Sequence, residues 1–225
     1  MYKNKRSSAV FLAVLLVASI AVCFIPVASS QNGANVTVHF IDVGQGDSIF
    51  IDTSNRDVLI DGGSASASQT VLDYLADLNI THIHLVIATH MHEDHIGGLV
   101  DVLNSTLTID EVLINNQTHT TATYTKFITN AQTHTITVAQ RGQTIILTET
   151  ANLTVLNPTQ PLEFSDLNDN SIVVKLQVAN TSFLFTGDAE EPAEQSMLIS
   201  SVVSIKCAVL KVGHHGSYTA TSQNS

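Results

Sequence analysis

The sequence predicts an α/β fold with two β-sheets held between helical layers. Three observations carry this expectation. Short β-type runs recur along the 225-residue chain with no long linker or repeat between them. Helical stripes are interspersed among those runs, the pattern of layered α/β architectures. Hydrophobic residues make up 44% and charged residues 13%, too apolar for a disordered or all-coiled-coil chain and sufficient for a substantial core.

The elements follow in order. Residues 36–40 and 48–52 read as strands on either side of the turn Gly44-Gln45-Gly46-Asp47, and 57–60 as a third, stopped by Gly62-Gly63. Val71, Leu72, Leu75 and Leu78 form the apolar stripe of a helix over 68–78. The run 84–88 is apolar throughout, as in a strand covered on both faces. A short helix is expected from Gly97 to Leu103, a strand at 111–114, and a helix over 121–130 with Tyr124, Phe127 and Ile128 on one face. Strands follow at 135–139, 144–147 and 152–156, then a hairpin of 171–178 and 182–186 across Ala179-Asn180-Thr181. Pro192 suits the first turn of a helix over 191–199. The last strand falls within 202–212, with Cys207 a buried small hydrophobe in the run 204–212.

The N-terminus reads as an address. Lys3, Lys5 and Arg6 precede a nearly unbroken aliphatic run from Ala9 to Ala28, followed by Ser29 and Ser30. That is the layout of a secretory signal cleaved near Ser30, with residues 31–225 as the mature domain. The alternative is an uncleaved membrane anchor through residues 7–28, since about twenty apolar residues span a bilayer. Either reading places the rest of the chain outside the cytoplasm. Beyond residue 30, six Lys and Arg face twenty Asp and Glu, a balance of −14 that argues against tight binding of duplex nucleic acid.

Ten histidines, more than lysines and arginines together, point to metal chemistry. The centre of the sequence is Thr89-His90-Met91-His92-Glu93-Asp94-His95-Ile96-Gly97-Gly98, a loop between a buried strand and a helix. His90 and His92, two apart in extended chain, project to one side, and the turn into the helix lets Asp94 and His95 face the same cavity. A borderline cation such as Zn²⁺ takes imidazole and carboxylate together. A polar loop with exposed histidines is the weaker reading for four such residues at this spacing. Two later strand ends add donors: Thr186-Gly187-Asp188 delivers a carboxylate able to bridge two cations, and Gly213-His214-His215-Gly216-Ser217 delivers adjacent imidazoles.

These residues carry a resemblance to the metallo-β-lactamase fold superfamily, more narrowly to the exported hydrolase domain of competence (ComEC-like) DNA-uptake proteins. It extends over residues 36–217 through Phe40-Ile41-Asp42-Val43-Gly44-Gln45-Gly46-Asp47-Ser48, Ile60-Asp61-Gly62-Gly63, residues 89–98, Asn168-Asp169-Asn170-Ser171, Thr186-Gly187-Asp188 and Gly213 to Ser217. The resemblance implies a four-layer αββα sandwich. It also implies that the C-terminal helix and strand that relatives carry after this last motif are missing here. It implies two divalent ions, Zn²⁺ or Mn²⁺: His90 and His92 on one, Asp94, His95 and His214 on the other, Asp188 bridging, and Asp61 supporting the site from behind. Relatives add a further histidine to the first ion where this chain reads Asn168-Asp169-Asn170. That leaves the first site short, unless Asn168 or Asp169 substitutes through oxygen.

Other histidines are given ordinary roles. His82 and His84 lie at the far end of their strand, roughly 20 Å from His90 at ~3.3 Å per residue. His119 and His134 flank the Tyr124 helix as surface residues, with a lesser alternative in which His119 and Tyr124 line a groove. Glu190, Glu191 and Glu194 suit a helix N-terminus.

The function these readings imply is an exported metal-dependent hydrolase that uses a metal-activated water on phosphodiester bonds. Asp94 would orient the water, and His215 or Ser217 would assist the leaving group. The expected substrate is a single strand or a small phosphodiester. The alternatives are an acyl hydrolase of the same fold (lactone, thioester or β-lactam) and a non-catalytic metal-binding accessory module of DNA uptake.

Overall fold

The computed structural model describes residues 35–200 and 204–222; the signal or anchor expected at residues 1–30 lies outside them. Eleven strands form two sheets among the described residues. The first contains β1 (Val36–Phe40), β2 (Ile49–Thr53), β3 (Val58–Ile60), β4 (His82–Ile87), β5 (Thr108–Ile114) and β6 (Thr135–Val138), in that spatial order. Pairing is antiparallel from β1 to β3 and parallel from β3 to β6. The second runs β11-β10-β9-β8-β7: β7 (Thr144–Ile146), β8 (Ala151–Asn157), β9 (Val173–Val178), β10 (Thr181–Phe185) and β11 (Val209–Lys211). Only β10 and β11 pair in parallel there.

Alternation along the strands builds the layers. In β2 and β3, Ile49, Ile51, Val58 and Ile60 face the second sheet and pack with Leu153, Val155, Val174, Leu176 and Phe185. The intervening Phe50 and Leu59 face the opposite way. They meet α1 (Ser68–Asp77), α2 (Glu93–Leu103) and α3 (Ala122–Ala131) through Val71, Leu75, Ile96, Leu99 and Phe127. On the outer face of the second sheet, Leu156, Val173 and Leu184 pack on Ala193 and Met197 of α4 (Glu191–Ile199). The result is the αββα sandwich. Each fully buried Phe or Leu of this kind contributes roughly 1.5–3 kcal/mol of transfer free energy.

Two local readings change. The helix expected from Gly97 begins four residues earlier, at Glu93, with His92 as its N-cap residue. Glu93 and Asp94 in its first turn complement the helix dipole, so the motif itself enters the helix. Gly97 and Gly98 are instead contact positions, where a Cβ would fall 2.3 Å from the Ala65 nitrogen and 2.0 Å from the Gly62 oxygen. The last strand is only three residues long, and Cys207 precedes it, half-buried against the α4 cluster.

Candidate metal centre

Parallel pairing brings strand ends into register, and the candidate residues leave four of those ends. Asp61 follows β3, residues 89–92 follow β4, Asp188 follows β10, and Gly213–Gly216 follows β11 as a turn with left-handed backbone at His214 and His215. A fifth segment joins them: the turn after β1 lies so close that a Cβ on Gly46 would fall 2.1 Å from the Asp94 carbonyl oxygen. Gly46 has φ of 120°, open to glycine but strained for other residues.

Asp188, 2% exposed, is the hub. Its Oδ1 lies 3.2 Å from His95 Nε2, and its Oδ2 lies 3.3, 3.8 and 3.9 Å from the Nε2 atoms of His215, His214 and His90. His90 Nε2 is also 2.9 Å from His92 Nδ1. His215 Nε2 is 3.4 Å from Asp94 Oδ2 and 3.3 Å from His95 Nε2. All six residues expected to hold metal therefore converge, and His215, expected at the leaving group, lies among them.

The outward nitrogens of His95, His214 and His90 each meet a protein oxygen. His95 Nδ1 meets Asp61 Oδ2 at 2.8 Å, and His214 Nδ1 meets Glu190 Oε1 at 2.7 Å. His90 Nδ1 lies 3.1 Å from Thr89 Oγ1 and 3.3 Å from Ser171 Oγ. Asp61 is itself fixed, accepting from the Thr89 backbone N–H at 2.8 Å and its hydroxyl at 2.7 Å. A proton held on the outward nitrogen leaves the inward lone pair for a ligand, the arrangement by which proteins orient metal-binding imidazoles.

The electrostatics agree. Burial opposes a charge on His95, but Asp61 and Asp188 outweigh it and push its pKa up to about 10. Hydrogen bonding to Asp188, Asp47 and Asp94 raises His215 to about 11. Burial, reinforced by the charge of His95, drives His90 well below the ordinary imidazole value, leaving it neutral. The His215 contact holds Asp94 well below the usual carboxylate range; at Asp188, burial is outweighed by His215 and His95. Anionic carboxylates thus call for positive charge at their centre, carried by imidazolium or by a cation. Asp188 Oδ1, buried and without a well-directed hydrogen bond, fits the second. The donor set suits a divalent cation that accepts nitrogen and oxygen.

The remaining expected residues differ in placement. Asp169 accepts from the backbone N–H groups of Glu190 and Ala193, so it caps α4. Asn168 donates to Glu190 Oε1 at 3.2 Å, while its own Oδ1 is buried without a hydrogen-bond partner. Ser217 is turned to Thr219, with the two hydroxyls 2.8 Å apart.

Sequence reasoning gave no role in the site to three neighbours, Asp47, Glu190 and Ser171, and placed a fourth, His119, in a groove only as its lesser alternative. Asp47 lies 3.5 Å from His215 Nδ1 and pairs with Lys211, whose ammonium also donates to the Gly187 carbonyl. Glu190 and Ser171 anchor His214 and His90, as described above. Asp47 and Ser171 were visible within motif stretches; Glu190 had only its place two residues after Asp188. His119, expected at the surface, has its ring centroid 6.2 Å from that of His92. His134 is held by the Ile109 and Leu103 carbonyls, each at 3.1 Å, and is structural.

A second histidine cluster, His82, His84 and Asp110, lies at the other end of β4 and is internally satisfied. His82 Nε2 meets Asp110 at 2.9 Å, and His84 Nδ1 accepts from the Asp57 backbone N–H at 3.1 Å.

Comparison with known proteins places this arrangement. The family model described as the metallo-beta-lactamase superfamily matches residues 41–119. The chain is 28% identical over 206 residues to ComE operon protein 3 of Bacillus subtilis, covering 83% of this chain and 26% of that protein. It is 29% identical over 211 residues to competence protein ComA of Neisseria gonorrhoeae, covering 93% and 28%. The chain thus spans about a quarter of the length of these curated relatives. Among solved structures, MEM-A1, a subclass B3 metallo-beta-lactamase from a soil metagenome library, superimposes with a TM-score of 0.53 at 14% identity. That match covers 79% of this chain and 76% of MEM-A1 and speaks to the fold alone.

Proposed function

Because the chain belongs to the metallo-β-lactamase superfamily, on its competence-protein branch, we propose that its hydrolase-type metal-binding fold serves an exported phosphodiesterase working with two divalent cations, Zn²⁺ or Mn²⁺. The observation that carries this reading is the carboxylate of Asp188, whose two oxygens face different sets of imidazoles. Oδ1 looks to His95; Oδ2 looks to His215, His214 and His90, with His92 behind His90. Such cations supply Lewis acidity, making a water acidic enough to ionise near neutral pH and offsetting charge on a phosphoryl oxygen.

The chain's own residues supply the rest. Asp61, Thr89, Ser171 and Glu190 hold imidazole protons on outward nitrogens. Asp94, at the N-terminus of α2 and partly exposed, orients the attacking water at the mouth of the site. His215 belongs with the ligands rather than the leaving group, because its Nε2 lies within 3.4 Å of Asp94, Asp188 and His95.

The competence-named relatives favour a nucleotide-linked substrate. The surplus of acids favours a single strand or small phosphodiester over a duplex, whose phosphates a negative surface repels. Export rests on the basic and apolar N-terminus; N-terminal sequencing of the secreted protein should begin at Gln31, whereas a start at Met1 supports a membrane anchor. The purified chain should hydrolyse bis-p-nitrophenyl phosphate with Mn²⁺ or Zn²⁺, and His92→Ala should abolish it. Turnover of a lactone, thioester or β-lactam in place of the phosphodiester would overturn the assignment, as would equal turnover by His92→Ala.

A further inference from the structure

We propose that His214 ligates the cation on the His90–His92 side, supplying the imidazole that residues 168–170 do not, and that Glu190 is the residue that positions it. The inference rests on the two-cation reading above. Two of the three side chains at 168–170 are committed elsewhere. Asp169 caps α4. The Asn170 amide donates to the carbonyls of Phe164 and Asp166 and to the Gln117 side chain. Asn168 uses its amide nitrogen to hold Glu190 Oε1, the same oxygen that accepts from His214 Nδ1 at 2.7 Å. Where relatives are expected to place a histidine, this chain places an asparagine that braces a carboxylate behind another histidine.

With its proton on Nδ1, His214 presents the Nε2 lone pair inward, 3.8 Å from Asp188 Oδ2. His90 Nε2 lies 3.9 Å from that oxygen. Donors around one tetrahedral ion with bonds of ~2.0–2.1 Å sit about 3.4 Å apart, more as the angle opens. Both separations therefore suit one ion with little contraction. His215 Nε2 reaches the same oxygen at 3.3 Å, but it is set apart by lying equally close to His95 Nε2, at 3.3 Å, and Asp94 Oδ2, at 3.4 Å, the donors of the other ion. Left-handed backbone at both residues, φ 44° and 52°, fans the adjacent rings 71° apart and lets them serve different ions.

The test is a Co²⁺ or Zn²⁺ titration of the full chain, followed by d–d absorption and calorimetry. Wild type should take up two ions. His214→Ala and Glu190→Ala should each weaken one ion by 10- to 100-fold. Adding His214→Ala to His92→Ala should cost nothing further, because that ion is already lost, whereas adding it to His95→Ala should remove the second ion. Glu190→Gln keeps an acceptor for His214 Nδ1 and should restore most of the affinity, which a merely structural role does not predict. Thermal unfolding in chelator checks the fold, and the Glu190 pair carries the test if His214→Ala misfolds. The proposal is overturned if His214→Ala and His95→Ala affect the same ion, if Glu190→Ala leaves both affinities unchanged, or if Asn168→Ala alone removes the His92 ion. Wild type binding fewer than two ions overturns the two-cation reading as well; two ions with His214→Ala unaffected sinks this proposal alone.

Discussion

Replacing Asp61 by asparagine separates hydrogen bonding from shape at the most buried point of the site. Asp61 is fully buried and has φ of 56°, a left-handed conformation that asparagine also tolerates, so the backbone need not move. The asparagine Oδ1 retains the 2.8 Å bond from the Thr89 backbone N–H. Its amide nitrogen then stands where Oδ2 accepted from His95 Nδ1 at 2.8 Å. A donor there forces His95 to accept on Nδ1 and carry its proton on Nε2, pointing at Asp188. Reversing the tautomer removes the ligand lone pair without removing the ring. Loss of such an orienting partner typically costs 10- to 100-fold in metal affinity, about 1.4–2.7 kcal/mol. Competition of the Asp61→Asn variant with a chromophoric chelator for Zn²⁺ measures this, with unfolding of the metal-free protein as control. Affinity equal to wild type would show that Asp61 does not set the His95 tautomer, and the reasoning about outward anchors would fall with it.

Other expectations follow from the same geometry. In metal-free protein, His95 and His215 titrate near 10 and 11, above the ~6.5 of an unfolded imidazole. The stability their protonation provides is therefore complete below about pH 6.5 and is lost as pH rises toward 10–11. Melting temperature in chelator should fall over that interval; a flat profile refutes the charge balance. Cation binding must displace those protons, so metal affinity should rise with pH over the same range, with proton release visible by calorimetry in buffers of different ionisation heat. Gly46→Ala forces a Cβ to 2.1 Å from the Asp94 carbonyl at a strained φ and should cost about 2 kcal/mol or more while disordering the metal site. His134→Ala, remote from the site, should lower stability by about 1–2 kcal/mol and leave metal stoichiometry unchanged.

Much of the fold was legible because each strand of the inter-sheet core declares itself. Runs such as 48–52 and 57–60 are apolar on both faces, and only a strand between two layers buries both. The start of α2 was misjudged because Gly97 and Gly98 look like a helix boundary. They sit there for close contact with Gly62 and Ala65, which no local pattern reveals. In the site, side chains adjacent to a dense motif were readable, and those reaching in from elsewhere were not. Glu190 reads as a helix-dipole acid and Asp47 as a turn residue until β10, β11 and the Gly46 turn are brought together. His119 shows the same limit, since only the path of its loop puts it beside His92. Which of His214 and His215 stands near His95 depends on two left-handed residues, a conformation that sequence does not announce for histidine.

The central claim is that Asp188 bridges two cations. A crystal of the full chain grown with Mn²⁺ or Zn²⁺, with anomalous difference density recorded at the metal edge, tests it directly. Two peaks are expected about 3.5–4 Å apart, one within bonding distance of each Asp188 oxygen. Density confined to His82, His84 and Asp110, or a pair of peaks that Asp188 does not touch, would contradict the account.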